Sequence, residues 1–135
     1  RITPFTQPPS LDATLAARGF VAFDDSLVML RERLDDLAAE ALPAGLEIEA
    51  PGHGAFAEAV GALRGSTLAQ RQAHAERLRN APVPYTGLLL RQAGELLGCG
   101  QFALEDGLVG LYDIYVQPAR RNAGLARLLC SQLLL

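Results

Sequence analysis

The stretch LVGLYDIYVQPARRNAGLARLLCSQLLL, residues 108–135, decides the fold that we predict for this chain. The apolar run 108–116 predicts a buried strand and residues 125–135 predict a helix, with a short loop between them. The first turn of a helix has free N–H groups and the positive end of the helix dipole. A strand, a loop and a helix N-terminus therefore form a site suited to an anion, and Gly124 lets the backbone come close to that ligand.

The order of these residues resembles motif A of the GNAT family, the GCN5-related N-acetyltransferases. That motif has Gln or Arg, two residues, Gly, one residue, then Gly or Ala, after a strand that ends in Val-x-Pro. Here the strand ends with Val116, Gln117 and Pro118, and the signature falls on Arg121, Gly124 and Ala126. The resemblance implies that the amides of the loop bind the pyrophosphate of acetyl-coenzyme A (acetyl-CoA).

The resemblance also assigns a role to the end of the strand. In this family the fourth strand bulges and separates from its neighbour, which frees backbone N–H groups for the pantetheine and the thioester carbonyl. One such donor to a developing oxyanion contributes about 10²–10³ in rate in other enzymes. The residues that we assign to coenzyme binding by resemblance are Ile114, Tyr115, Val116, Arg121, Asn122, Ala123, Gly124, Leu125, Ala126 and Arg127.

Acetyl transfer to an amine also needs a base, because an amine of pKa about 10.4 is only about 0.1% neutral at pH 7. Asp113 is our candidate, since it is a carboxylate inside a strand that otherwise looks buried, and burial makes a carboxylate a better proton acceptor. The alternative is a structural carboxylate bonded to backbone or to an arginine. His53, expected in a loop, and His74, expected on a polar helix, could contact the acceptor, because those helices border the acceptor cleft in the family.

Composition limits the other classes of function. The chain has 135 residues, half of them hydrophobic, and a net charge of −3, which is typical of a globular protein and disfavours nucleic-acid binding. We find no apolar run long enough for a membrane span and no signal peptide. Cys99 and Cys130 match no metal spacing, so we expect no metal and a reduced, cytoplasmic setting.

Residues 46–135 predict the order strand, two helices, three antiparallel strands and helix. Gly65 and Thr67 mark the end of the first helix and the start of the second. Two hairpin turns are expected at 93–95 and 105–107, where Asp106 and Gly107 give a strong turn signal. Gly98 and Gly100 are interpreted as allowing a bulge or a close approach of strands, because no helix follows them as a dinucleotide fingerprint would require. The resemblance implies an α/β (α+β) fold, a GNAT-like mixed, largely antiparallel sheet flanked by helices on both faces.

The chain before residue 46 is expected to belong to other parts of a larger protein. Residues 1–34 predict a short strand, a helix at 11–18 that Ser10 caps, and a hairpin at 20–30, and they resemble the C-terminal part of a degenerate GNAT-like lobe. Residues 35–45 are interpreted as a linker helix, and 46–135 as the N-terminal two thirds of an acetyltransferase lobe. Because the chain starts at Arg1 and ends inside an apolar helix, we expect a piece of a longer protein. The first residues could instead complete the second lobe, in a permuted order or across a homodimer.

The function expected from the resemblance is acetyl-CoA-dependent N-acetylation of a primary amine by direct transfer. The acceptor would be a small molecule or a peptide, with neither a nucleic acid nor a membrane as a partner. A lobe that binds acyl-CoA without turnover, or one with only a structural role, is the alternative. The sequence does not identify the acceptor.

Overall fold

A computed structural model describes residues 7–23, 29–35, 37–38 and 40–134. Within these residues the helices are α1 (Leu11–Ala17), α2 (His53–Arg64), α3 (Leu68–Arg79) and α4 (Leu125–Leu133), and a short 3₁₀ helix spans Pro118–Arg120. The strands are β1 (Leu46–Glu49), β2 (Tyr85–Gln92), β3 (Glu95–Glu105) and β4 (Leu108–Val116). They form one antiparallel sheet in the order β1-β2-β3-β4, so the predicted α+β fold with a largely antiparallel sheet is confirmed.

The sheet has a hydrophobic core on each face. Leu89 of β2 packs with Phe56 and Val60 of α2, whereas the next residue, Leu90, packs with Leu128 and Leu129 of α4. Because successive side chains of a strand point to opposite faces, α2 and α3 cover one face and α4 covers the other. Helices therefore flank the sheet on both faces, as the sequence predicted.

Both hairpin turns form where the sequence placed them. Ala93 and Gly94 have φ of 48° and 80°, and Asp106 and Gly107 have φ of 48° and 78°. Two consecutive residues with positive φ between paired strands are typical of a type I′ turn, whose twist matches that of the strands. The first turn sets the register of β2 against β3, and the second sets the register of β3 against β4.

The ends of the two central helices also follow the sequence. Gly65 ends α2 in the left-handed region at φ 67°, and Thr67 begins α3 with a capping box, in which its side chain accepts from the backbone N–H of Gln70 and the Gln70 side chain accepts from the backbone N–H of Thr67. The tight connection between the two caps holds α2 and α3 against the same face of the sheet. It thereby fixes where the side chains of α3 meet the sheet.

Residues 1–33 form a compact unit of their own. The predicted helix is present as α1, followed by Gly19 at φ 83°, but the Ser10 side chain makes no capping hydrogen bond. The predicted hairpin is wrong where it can be checked, since Phe20–Phe23 and Met29–Leu30 are not strand. Its turn at 24–26, residues 27–28 of its second strand and the predicted first strand lie outside the described residues.

Residues 34–135 form the second unit. The linker helix predicted for residues 35–45 is wrong, because the described residues of that segment contain no helix. Instead, the backbone N–H of Glu40 donates to Ser131 Oγ at 2.9 Å, and Gln132 Nε2 donates to the carbonyl of Glu40 at 2.8 Å. The peptide groups that a helix would have paired are here bound by side chains of α4.

Candidate active site

A bulge in β4 decides which side chains face which side of the sheet. Cys99 of β3 pairs with Tyr115 and Gln101 pairs with Tyr112, so Asp113 and Ile114 together oppose the single residue Gly100. Asp113 adopts φ 51°, a left-handed conformation that Asp tolerates better than most residues. Because a bulge lets two consecutive residues face the same side, Tyr112 and Asp113 line one cavity together.

Two cavities meet β4 at consecutive residues. The α3 cavity, of about 770 Å³, is lined by α3, by the segment that follows it, and by Tyr85, Gln101, Tyr112 and Asp113. The loop cavity, of about 480 Å³, is lined by Ile114–Val116 and by residues between 120 and 127. The bulge therefore marks the point on β4 where one cavity gives way to the other.

The loop cavity gathers the residues that the sequence assigned to the coenzyme. All ten line it except Ala123, and Arg120 lines it in addition. The amides of Arg120 and Arg121 donate to the carbonyls of Gln117 and Pro118. From Asn122 to Arg127, no backbone N–H donates to any of the described residues, and the first ladder bond of α4 is Leu128 N–H to Gly124 O at 3.0 Å. This run of free donors at a helix N-terminus is what a phosphate group requires.

Gly124 shapes the approach to these donors. It is the N-cap of α4 at φ 77°, and a Cβ at this position would meet no atom within 4 Å. The space next to the free amides is therefore open to a ligand, and a side chain longer than hydrogen would project into it.

The arginines of the loop have partners within the protein. Arg121 Nε donates to the carbonyl of Val116 at 3.2 Å, and the Arg121 guanidinium lies 5.4 Å from the centre of the Tyr115 ring. Arg64 of α2 lies at the same distance from this ring. Arg127 pairs with Glu40 at 2.8 Å. Cation–π contacts and exposed ion pairs of this kind are weak, so neither prevents an arginine from turning towards a phosphate.

Asp113 is at the centre of a polar cluster on the α3-cavity side. Its Oδ1 lies 3.0 Å from Nη2 of Arg64, and its Oδ2 accepts from Gln101 Nε2 at 2.8 Å. His74 Nε2 lies 3.4 Å from the same Oδ2. The carboxylate thus faces α2 and α3, on the side of the sheet that Tyr112 also faces. The structure thus shows the arginine pairing that we kept as the alternative for Asp113, together with a histidine at the cavity.

The sequence placed His74 among the possible acceptor contacts but did not show that it lies beside Asp113. It lies on α3, lines the α3 cavity, and its ring packs edge-on against Phe56 with the ring centres 6.3 Å apart. Burial of the imidazole lowers the pKa of His74 from its ordinary value, the Asp113 carboxylate opposes this change, and Arg77 and Arg64 add to it. The helix sequence is mostly polar and has no clear apolar stripe, so no pattern marked the side that faces Asp113.

Gln101 and two tyrosines complete the α3 cavity. The Gln101 side chain is buried, and its Oε1 has no hydrogen-bond partner among the described residues. Tyr85 and Tyr112 stack edge-to-face with their ring centres 5.4 Å apart. A buried acceptor without a partner, beside aromatic rings and a carboxylate, favours a ligand that brings N–H groups.

The other histidine and the thiols do not join this cluster. His53, predicted in a loop, begins α2 instead, and its Nε2 lies 3.1 Å from the carbonyl oxygen of Tyr85. Burial raises the pKa of the Cys99 thiol to about 12 and also raises that of Cys130. Both thiols are therefore protonated at neutral pH and are poor nucleophiles.

None of the helices in the described part of the chain has the length and apolar character needed to cross a membrane.

Comparison with known proteins gives a match to a family model and a similarity of fold. Residues 49–134 match the model of the acetyltransferase (GNAT) family. The solved structure of a GCN5-related N-acetyltransferase from Kribbella flavida is similar in fold, with a TM-score of 0.55 at 21% sequence identity. The similarity covers 73% of this chain and 37% of that chain, so the chain spans little more than a third of that neighbour. No curated protein matches the chain.

Proposed function

The chain belongs to the acetyltransferase (GNAT) family, and from this premise we propose that it transfers the acetyl group of acetyl-CoA directly to a primary amine. The observation that supports this most strongly is the run of free backbone N–H groups from Asn122 to Arg127 at the loop cavity. Family membership supports the class of enzyme expected from the sequence, an acyltransferase, and the activity, the coenzyme and the acceptor are our proposal.

In this proposal the coenzyme pyrophosphate lies against the free amides of the loop. The residues fit such a group, because the amides have no other acceptor among the described residues and Gly124 leaves the space in front of them open. The positive end of the α4 dipole adds to the attraction for a diphosphate. Arg121 precedes the run of free amides in the sequence, and Arg127 is its last residue. Their guanidinium groups would also contact the pyrophosphate once they leave Tyr115 and Glu40.

The pantetheine arm and the thioester would then follow β4 from Val116 towards Ile114. In the described sheet β4 is an edge strand, since it pairs only with β3, and alternate N–H groups on its outer side are free to donate. Such a donor would stabilise the negative charge that develops on the thioester oxygen during attack. We therefore place the reacting carbonyl at the bulge, between the loop cavity and the α3 cavity.

The α3 cavity is the proposed site of the amine acceptor. Asp113 and Glu76 contribute carboxylates, Tyr85 and Tyr112 contribute ring faces that attract cations, and Gln101 contributes an unpaired acceptor. These groups favour an ammonium ion or an amine in a small molecule or a peptide. Asp113, the carboxylate that the sequence singled out for removal of the amine proton, lines this cavity.

Direct transfer fits the chemistry of the two cysteines. An acetyl-cysteine intermediate needs a thiolate, and burial keeps both Cys99 and Cys130 protonated. Two free thiols also favour a reducing, cytoplasmic setting.

A homodimer that completes the site is also part of the proposal. Light scattering at several protein concentrations would reveal such a dimer.

The proposal is tested by incubating the protein with acetyl-CoA and a panel of primary amines, including a lysine peptide, a polyamine and an aminoglycoside. Release of free coenzyme A thiol should rise with at least one amine above the rate without amine, and mass spectrometry should find the acetylated amine. Acetyl-CoA binding by calorimetry without any turnover would instead support a lobe that only binds acyl-CoA. Absence of both binding and turnover would leave a structural role.

A further inference from the structure

We infer that His74 is the group that accepts the amine proton and that Asp113 positions it. The inference rests on the proposed function and deepens it, since the sequence had given the role of base to Asp113 itself. It follows from the arrangement of His74, Asp113 and Gln101, which line the α3 cavity, and from the contact of Arg64 with Asp113.

The Asp113 carboxylate is poorly placed to take a proton itself. Arg64 contacts Oδ1 at 3.0 Å, and both Gln101 Nε2 and His74 Nε2 lie near Oδ2, at 2.8 Å and 3.4 Å. Its lone pairs therefore already face three nitrogen donors, one of them on a permanent cation. Protonation would break these contacts, so the carboxylate serves better as a fixed negative charge.

The same contacts leave His74 with a free lone pair. When Nε2 carries the proton and faces Asp113, the lone pair of the neutral imidazole is on Nδ1. Asp113 then selects the tautomer, holds the ring and stabilises the imidazolium that forms, while Phe56 packs against the ring edge. A histidine–carboxylate pair that orients a base in this way is a general device of proton transfer.

The surroundings keep the imidazole neutral before the reaction. Burial is the main cause of the lowered pKa of His74, and it outweighs the attraction of Asp113. The charged and titratable groups around His74 or on the same cavity wall are Asp113, Arg64, Arg77, Glu76, Tyr85 and Tyr112. At neutral pH the side chain is therefore ready to accept a proton, without first losing one to solvent.

The proposed step balances in atoms and charge. An N–H bond of the substrate ammonium breaks and its proton goes to Nδ1, directly or through one water, to give an imidazolium and a neutral amine. The amine nitrogen then forms a bond to the thioester carbon, the carbon–sulfur bond breaks, and the coenzyme leaves as a thiolate. The second proton of the nitrogen protonates the thiolate, and the imidazolium returns its proton to solvent.

The test is the pH dependence of kcat/KM for the amine of highest turnover in the panel, measured for the wild type and for His74→Gln. The wild type should lose activity on the acid side with unit slope and a midpoint below 6.5, the ordinary histidine value. His74→Gln should lose this inflection and should lower kcat by about 10²–10⁴-fold, the usual contribution of a general base. KM for acetyl-CoA should stay the same.

His53→Gln makes the same change at the other histidine, which bonds to the carbonyl of Tyr85 and not to Asp113, so the acidic inflection should persist in this variant whatever its effect on the rate. The loss of kcat in His74→Gln should be smaller with an amine that is neutral at pH 7, such as an aromatic amine. A purely structural role of His74 would give the same loss with both kinds of amine. An NMR titration of wild-type His74 gives a second readout that needs no variant, and its midpoint should agree with the kinetic one.

The results of these experiments distinguish the assignment of His74 as the base from the proposed function. If the wild type acetylates an amine and His74→Gln keeps the acidic inflection, the assignment of His74 is overturned while the proposed function stands. A kinetic midpoint that disagrees with the NMR midpoint of His74 would also overturn it. If the wild type acetylates no amine of the panel, the proposed function fails and this inference fails with it.

Discussion

Asp113 shows how one backbone angle determines the chemistry of the site. Its φ of 51° belongs to the bulge, and its carboxylate contacts Arg64 and His74. The sequence singled out Asp113 because a carboxylate inside an apolar strand is unusual. It could not give the partners, because they come from α2, α3 and β3 and meet only when the sheet and helices pack. The contact between His74 and Asp113 was not predicted for the same reason.

Replacing Asp113 by Asn should lower turnover much more than coenzyme affinity. Asn keeps the shape and tolerates positive φ, but it removes the charge that holds His74 and stabilises its imidazolium. We expect kcat to fall by about 10²-fold, with acetyl-CoA affinity from calorimetry within about twofold of the wild type.

Asp106→Asn provides the matched control, since Asp106 also adopts positive φ, at 48°, in the exposed turn between β3 and β4. Asp106→Asn should leave both kcat and the affinity for acetyl-CoA unchanged. Unchanged turnover in Asp113→Asn would show that the carboxylate has no part in the reaction.

At the scale of elements, glycines in β3 make room for the features of β4. A Cβ on Gly98 would lie 2.7 Å from the backbone carbonyl of Tyr115, and one on Gly100 would lie 2.6 Å from Ile114 Cδ1. The interpretation of these glycines as allowing a bulge or a close approach is therefore confirmed. Within residues 46–135, turn dipeptides and cap residues also predicted the turns and helix ends correctly. Each of them acts through its own backbone conformation and needs no distant partner.

Gly98→Ala should destabilise the fold. The new methyl group would meet a backbone oxygen, which cannot move aside as a side-chain tip can, so we expect a loss of about 1–3 kcal/mol in the free energy of unfolding. Urea denaturation followed by circular dichroism measures this change.

Gly54→Ala is the control, because a Cβ there meets nothing within 4 Å and the position lies in α2. It should leave stability unchanged or raise it by up to about 1 kcal/mol. Equal stability of Gly98→Ala and the wild type would show that β3 and β4 are not as close as described.

The linker helix that was wrongly predicted shows that the local helix preference of a segment does not always determine its structure. Residues 31–43 are rich in Ala and Leu, which favour a helix in isolation. The structure instead uses the peptide groups of Glu40 for bonds to Ser131 and Gln132 of α4. Tertiary contacts more than 90 residues away thus override the local preference, and no pattern within the segment could reveal them.

At the scale of the whole molecule, the second unit, residues 34–135, carries the sheet, both cavities and all of the family match. The topology of this unit followed from the sequence, because strand, turn and helix signals come in the order of the family. The interpretation of residues 1–34 as the end of another lobe stays a prediction. The central claim belongs to this scale, since it joins the loop, β4 and the acceptor cavity into one path for acetyl transfer.

The most direct test of that claim is calorimetric binding of acetyl-CoA to the wild type, Gly124→Glu and Gly107→Glu. Both glycines have positive φ, at 77° and 78°, and open space at Cβ, but only Gly124 lies beside the free amides. A carboxylate at 124 would occupy the phosphate position and repel the diphosphate. The account predicts that Gly124→Glu abolishes binding while Gly107→Glu binds like the wild type, and equal affinity of all three proteins would contradict it.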